Sequence, residues 1–198
     1  MVIIQYLFEF MTQEDYVVLV NEQDEVVGTM PKRLVHRKDT PLHRGVSLFV
    51  FNEKGEVLTQ QRAFSKRISP GLWTDSCSAH PLPGESNVES ARRRLQEEMG
   101  LEATEIVEVA PYRYYVDHEG VLENEICPVL VGKAAGEPVI DSIEVADARW
   151  VPWSDFVTEV RTMSYLYTPW CIDEVEIILG TLKSDFPMPI DAFHTRVR

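Results

Sequence analysis

Disulfide chemistry and membrane-spanning segments have little support in this sequence. Its 198 residues include only three cysteines, an odd number without a regular spacing, which is too few for a disulfide framework. We therefore expect a reducing, cytoplasmic setting. The apolar N-terminus, MVIIQYLFEFM, is interrupted by Glu9 and is too short to cross a bilayer, and no later segment reaches transmembrane length. We therefore expect no membrane partner.

Positive charge is also scarce, with 19 lysines and arginines against 32 aspartates and glutamates and a net charge of −13. This balance argues against nucleic acid or an anionic membrane as the main partner. A polyanionic substrate would need basic residues or metal ions to reverse the charge locally. The composition, 44% hydrophobic and 26% charged, is typical of globular proteins. We expect a monomer with one domain over residues 11–182, an extension at 1–10 and a tail at 183–198.

Apolar alternation and turn residues predict six strands, at 16–20, 26–30, 46–51, 57–62, 112–116 and 122–131. The turns at 52–55 and 117–120 would join the last four strands into two hairpins.

The sequence also predicts two helices. In the first, at 88–99, Ser86 and Glu89 form a capping-box pattern and Gly100 follows the last apolar residue. The second begins at Thr168, which a proline follows. Strands with a few interspersed helices predict an α/β or α+β layered domain.

An acidic pair, Glu123 and Glu125, lies on a predicted strand. Residues two apart on a strand share a face, so both carboxylates would point at one place and repel unless a cation sits between them. Three histidines, His36, His43 and His80, could complete the coordination of that cation.

The helix at 88–99 carries arginines and glutamates one turn apart. Such a pattern is either a solvated face with salt bridges or a site for a magnesium–diphosphate complex. One motif favours the second interpretation: Ala79-x5-Glu85-x7-Arg93-Arg94-Leu95-Gln96-Glu97-Glu98-Met99-Gly100-Leu101 resembles the Nudix box. It departs from the box at Ala79, where the box has glycine. It departs again at Arg94, where the box has a glutamate that commonly contributes to the hydrolytic magnesium site.

From about Met11 to Leu179, the chain resembles a type 1 isopentenyl diphosphate isomerase of the Nudix superfamily. The matching stretches are HRKDTPLH (36–43), QRAFSK (61–66), PGLWT (70–74), HP (80–81), GES (84–86), YRY (112–114), ENEICP (123–128) and TPW (168–170). The resemblance implies a Nudix fold, with a mixed β-sheet core flanked by helices, additional N-terminal strands and a C-terminal helix. It implies the interconversion of isopentenyl and dimethylallyl diphosphate.

The same resemblance implies two cation sites and an anion site. One divalent metal, Mn²⁺, Zn²⁺ or Mg²⁺, would be held by His36, His43, His80, Glu123 and Glu125. A second ion, Mg²⁺, would arrive with the diphosphate and be held partly by Glu98. The diphosphate-binding basic residues would be Lys32, Arg62, Lys66 and Arg94.

The implied reaction needs an acid and a base on opposite sides of a five-carbon chain, with a carbocation-like species between them. Glu125 is the expected acid, and Tyr114 would hold it or relay its proton. Trp170 would offer its π face to the developing positive charge.

The family's remaining catalytic group is a cysteine, and this sequence has Ser78 at that position. On an extended segment Cys77 would face the other way and could not replace it. A hydroxyl is far harder to ionise than a thiol and needs an adjacent base. Three explanations stay open: an engineered Cys→Ser change, a slow natural isomerase that uses Ser78 or water, and a relative with another prenyl diphosphate or nucleotide reaction.

Two other functions stay open as well. The glutamates of the Nudix-like motif suit a diphosphate hydrolase, although Arg94 and the complete His/Glu set argue against it. The missing thiol suits a weakly active or non-catalytic protein that binds prenyl diphosphates.

Overall fold

The computed structural model describes residues 16–118 and 120–182, so the predicted extension and tail lie outside the described residues. The strands are β1 (Tyr16–Val20), β2 (Val26–Pro31), β3 (His43–Arg44), β4 (Val46–Phe51), β5 (Glu56–Arg62), β6 (Trp73–Thr74), β7 (Cys77–Ala79), β8 (Thr104–Ala110), β9 (Arg113–His118), β10 (Val121–Ile126), β11 (Val129–Lys133) and β12 (Val145–Pro152). The helices are α1 (Lys32–Val35), α2 (Asn87–Met99), α3 (Trp153–Thr162) and α4 (Pro169–Leu182), with a 3₁₀ turn at Ser164–Leu166. No helix within the described part is long and apolar enough to cross a membrane.

The strands form two mixed sheets. The first has the order β2-β1-β3-β10-β9, and the second has the order β12-β5-β4-β11-β8, with β6 beside β5 and β7 beside β4. The second sheet has helices on both faces. Along β4, Val46, Leu48 and Val50 join the core beneath α2, whereas Phe49 and Phe51 join the core beneath α3 and α4. This period of two confirms the predicted layered α/β class.

Helix α2 has the predicted capping residue at each end. Ser86 accepts a hydrogen bond from the backbone N–H of Glu89, whose carboxylate in turn accepts from the Ser86 backbone. Gly100 closes the helix with φ +64°, a left-handed conformation that glycine adopts at low cost. Within its apolar stripe, Ala91, Leu95 and Met99 are buried, and Val88 in the first turn is partly buried.

The predicted strand at 122–131 is wrong in one respect, because it is two strands on different sheets. β10 ends at Ile126 and β11 begins at Val129. Between them lies Pro128, which has no N–H to donate to a ladder, so regular pairing stops there. The chain leaves the first sheet and enters the second across these two residues.

The predicted hairpin of β4 and β5 forms only at its turn, where Phe51 pairs with Val57. Beyond this pair the strands separate. β6 then pairs with β5, and β7 pairs with β4 in a register that sets Ser78 opposite Ser47.

A parallel ribbon connects the two sheets. β3 runs beside β10, with His43 opposite Glu125, and β4 runs beside β11, with Ser47 opposite Val129. Between the two pairings the backbone N–H of Gly45 donates to the Ile126 carbonyl over 2.9 Å. The ribbon therefore carries His43 and Glu125, whose side chains can bind a metal, where it joins the first sheet. It carries the buried polar residue Ser47 where it joins the second sheet.

Candidate active site

A cavity of about 640 Å³ opens where the two sheets meet. All of the predicted site residues except His43 line it: Lys32, His36, Arg62, Lys66, Ser78, His80, Arg94, Glu98, Tyr114, Glu123, Glu125 and Trp170. His43 is fully buried and contacts Glu125, so it lies directly behind the cavity wall. The fold therefore brings together residues that are up to 138 positions apart in sequence.

Four of these residues form a cluster suited to a metal ion. His36 follows α1, His43 lies on β3, His80 follows β7 and Glu125 lies on β10. Each offers one ligand atom, and these atoms lie within 4.8 Å of one another. The Glu125 Oε1 atom is 3.0 Å from His80 Nε2 and 3.2 Å from His43 Nε2. His36 Nδ1 is buried without a hydrogen-bond partner among the described residues, which fits a ligand that faces a cation.

The protonation of this cluster also suits a cation. Burial lowers the pKa of His36 and of His80 to about 4, so both imidazoles are neutral at pH 7 and can offer a lone pair. Burial alone would raise the pKa of Glu125, but its electrostatic interaction with His80 and its hydrogen bonds with His43 and His80 outweigh burial and hold that pKa well below its ordinary value. Burial opposes protonation of His43 as well, yet the Glu125 hydrogen bond raises its pKa.

Glu123 does not join this cluster, although it shares the cavity-facing side of β10 with Glu125. Its Oε2 atom lies 3.5 Å from the Nε2 atom of His118, which the sequence interpretation missed. His118 Nε2 also lies 3.3 Å from the hydroxyl of Tyr114. Strand β9 extends two residues beyond the predicted end at 116, and alternation along it places His118 on the face of Tyr114.

A glycine makes room for the Glu125 carboxylate. A Cβ atom at Gly45 would overlap the Glu125 carboxylate and lie 3.1 Å from the Cys127 sulfur. The ribbon backbone can therefore approach the acid closely only because position 45 has no side chain. Nothing in the sequence pattern distinguished this glycine.

The other side of the cavity is basic. The four predicted basic residues are joined there by Arg33 and Arg67, which the sequence interpretation missed. Arg94 contacts Glu98 and lies 3.5 Å from Glu144, and Lys66 also pairs with Glu144. Six basic and four acidic side chains line the cavity, so the local charge balance is the reverse of the chain's net charge of −13. This is the local reversal that a polyanionic substrate requires.

An aromatic pair lies between these regions. Trp170, in the first turn of α4, packs edge-to-face against Tyr114, with ring centroids 5.8 Å apart. The guanidinium carbon of Arg62 lies 5.0 Å from the Trp170 ring centroid. The π face of Trp170 already attracts a cation, which is the property that a carbocation-like species would use.

Ser78 faces the cavity from β7, on the second sheet. Its neighbour Cys77 points the opposite way into the core, where it is 1% exposed. Burial raises the pKa of the Cys77 thiol well above its ordinary value, so the thiol stays protonated. The Ser78 hydroxyl lies 2.9 Å from each carboxylate oxygen of Asp75, to which it donates. Cys77 therefore does not take the place of Ser78.

Comparison with protein families matches residues 41–171 to the NUDIX domain. A protein of Saccharopolyspora erythraea named isopentenyl-diphosphate Delta-isomerase is 42% identical over an alignment of 177 residues that covers 87% of this chain and 91% of that protein. Its namesake in Mycolicibacterium vanbaalenii is 39% identical over 83% of this chain and 91% of its own length.

Solved structures agree on the fold. The protein DR0079 from Deinococcus radiodurans superposes with a TM-score of 0.64 at 19% identity, covering 84% of this chain and 99% of its own. The MutT protein from Methanosarcina mazei Go1 superposes with a TM-score of 0.59 at 20% identity, covering 73% and 98%. The family match and the relatives above 30% identity show that the chain belongs to the NUDIX family and, within it, to the isopentenyl-diphosphate Delta-isomerases.

Proposed function

We propose that this protein interconverts isopentenyl and dimethylallyl diphosphate by delivering a proton from one wall of the cavity and removing another at the opposite wall. One observation carries the proposal. A single cavity joins a basic region, a buried His/Glu cluster on the first sheet and the Ser78 hydroxyl on the second sheet. The reaction needs those three parts: an anion site, a proton donor and a proton acceptor facing it.

The diphosphate is held at the basic side of the cavity. Lys32, Arg62, Lys66 and Arg94 supply the positive charge, and planar guanidinium groups match phosphate oxygens with paired hydrogen bonds. Glu98, which accepts a hydrogen bond from Gln60 Nε2 over 3.1 Å, is the carboxylate placed to hold a Mg²⁺ ion that accompanies the diphosphate.

Glu125 delivers the proton to the substrate alkene. Protonating a carbon needs a strong acid, and a carboxyl whose pKa is lowered by its histidine neighbours is a strong acid once it holds a proton. Tyr114, which is opposite Glu125 in the β9–β10 pairing, borders the same space and helps to orient the carboxyl. Trp170 stabilises the positive charge that then develops on the carbon chain.

A divalent metal fits the cluster of His36, His43, His80 and Glu125, with Glu123 as a further ligand if it turns away from His118. Such a metal would fix the Glu125 carboxylate and increase its acidity. The mixed nitrogen and oxygen donors suit Mn²⁺, Zn²⁺ or Mg²⁺.

The setting of the reaction is the reducing cytoplasm. All three cysteines are free and buried, as suits a protein that never meets an oxidising compartment. The substrate is a small molecule, and the protein is proposed to act as a monomer.

An isomerisation assay tests the function. The protein is incubated with isopentenyl diphosphate and Mg²⁺, with and without Mn²⁺ or Zn²⁺, and both dimethylallyl diphosphate and released phosphate or pyrophosphate are measured. We expect the isomer without hydrolysis, and its loss in Glu125→Gln. Hydrolysis without isomer would support a diphosphate hydrolase instead, and binding without turnover would support a non-catalytic relative.

A further inference from the structure

A buried carboxylate lies behind the Ser78 hydroxyl. Asp75, between β6 and β7, is fully buried. Its oxygens accept hydrogen bonds from the Ser78 hydroxyl and, over 3.0 Å, from the Thr74 hydroxyl. A carboxylate that is removed from water is costly unless it is well hydrogen-bonded. Asp75 is therefore held in place by the hydroxyl that faces the substrate cavity.

A second buried carboxyl interacts electrostatically with the first. Glu174, on the inner face of α4, is fully buried, and neither of its oxygens has a hydrogen-bond partner among the described residues. The Thr74 and Thr168 hydroxyls lie 2.9 Å apart and connect the strand next to Asp75 with the start of α4. Both carboxyls are thus removed from water, and the hydroxyl pair connects the elements that carry them.

Burial changes the pKa of both carboxyls. Burial raises the pKa of Glu174 well above its ordinary value, and the charge of Asp75 raises it further. Burial raises the pKa of Asp75 to about 7, although hydrogen bonds from Ser78 and Thr74 oppose the increase. A group whose pKa is close to the working pH exchanges protons most effectively.

We infer that Asp75 is the positioning residue that makes Ser78 a proton acceptor, by receiving the hydroxyl proton while Ser78 Oγ takes a proton from the substrate carbon. This inference rests on the proposed isomerisation. The C–H bond at the substrate carbon breaks, and its electron pair becomes the new double bond. The departing proton binds Ser78 Oγ as the Oγ–H proton moves to Asp75, so Ser78 ends neutral and no further reactant is needed.

The inference explains how a hydroxyl could work where the family has a thiol. A serine needs an adjacent base, and the Asp75 carboxylate is that base. A thiol reacts as its thiolate, which a neighbouring carboxylate disfavours by charge repulsion. The carboxylate should therefore help a serine at position 78 and hinder a cysteine there.

A double-mutant cycle with Asp75→Asn and Ser78→Cys tests this reversal. With Ser78 present, Asp75→Asn should lower kcat by about 100-fold with KM changed less than about twofold, since the substrate-binding residues are untouched. With Cys at position 78, the same change should leave kcat equal or higher. Asp173→Asn, which removes an exposed carboxylate from the same helix as Glu174, is the matched control and should leave kcat unchanged.

Each result is decisive. If Asp75→Asn lowered kcat equally with Ser78 and with Cys at position 78, the role of Asp75 would be structural and the inference would be overturned. An unchanged kcat for Asp75→Asn with Ser78 present would overturn it as well. The cycle is repeated with Asp75→Ser, so that it does not depend on the folding of one variant, and circular dichroism checks every protein. Isomerisation by Ser78→Cys but not by the unaltered chain would overturn the inference alone. Absence of isomerisation in both would overturn the proposed function.

Discussion

Replacing Gly45 by alanine should detach the acid from the metal cluster while leaving the fold intact. The added Cβ would occupy the place of the Glu125 carboxylate, approach its Cδ to 3.0 Å and lie 3.1 Å from the Cys127 sulfur. Because the overlapping atoms are the flexible end of a side chain, the carboxylate can rotate away. It then leaves its position between His43 and His80.

The two costs of this substitution differ in size. Overpacking a well-packed site costs about 1–3 kcal/mol of stability, and a movable blocking group keeps the loss near the lower value. Losing an oriented carboxylate should lower metal affinity by about 10–100-fold, the usual effect of disturbing the groups that orient metal ligands.

Calorimetric titration of the metal-free protein with Mn²⁺ measures the affinity, and urea denaturation measures the stability. Gly28→Ala is the control, because no atom lies within 4 Å of the Cβ that it would add. Unchanged Mn²⁺ affinity in folded Gly45→Ala protein would refute the argument that Gly45 makes room for the acid.

Three further outcomes are expected. Trp170→Leu should lower kcat roughly tenfold with KM nearly unchanged, since a cation–π contact of about 1–2 kcal/mol acts only on the developing cation; partial rescue by Trp170→Phe checks this. Arg94→Gln should raise KM for isopentenyl diphosphate by about tenfold or more, because a charge-assisted hydrogen bond contributes about 1.5–3 kcal/mol, and steady-state kinetics measures it. Burial, helped by the charge of Glu98, raises the pKa of Asp75 from 3.8 to about 7, so the protonated carboxyl stabilises the protein below pH 4, and this contribution of roughly 4 kcal/mol is lost as pH rises through 7. Urea denaturation between pH 4 and 8 should therefore show a smaller decrease in unfolding free energy for Asp75→Asn than for the unaltered chain.

Local rules predicted the parts of the fold that depend on neighbouring residues. The caps of α2 and most strand positions follow from short-range patterns, and the sequence motifs identified the family directly. The break between β10 and β11 was missed because an apolar run does not show that its two halves belong to different sheets. Pro128 was the signal, since a proline inside an apparent central strand argues against that strand.

The residues of the site likewise fall into a group that the sequence predicted and a group that it did not. Motifs located the residues that line the cavity, and their individual roles stay predictions. The residues that support them could not be found by motif. Gly45 is important because it has no Cβ atom. The position of His118 in the site depends on how far strand β9 extends. Asp75 and Glu174 interact only because the start of α4 lies against β6, where the Thr74 and Thr168 hydroxyls are 2.9 Å apart, and no local pattern encodes such a long-range contact.

The parallel ribbon between the sheets also determines when the site can assemble during folding. Its two segments are distant in sequence: Ser47 and Cys127, whose side chains are 3.5 Å apart, are separated by 80 positions. Closing loops of this length reduces the conformational entropy of the chain before the parallel pairings can compensate for that loss. Such contacts therefore form slowly. His43 and Glu125 therefore meet only after most of the chain has collapsed. A bound metal should accordingly slow the unfolding of this protein far more than it speeds the refolding.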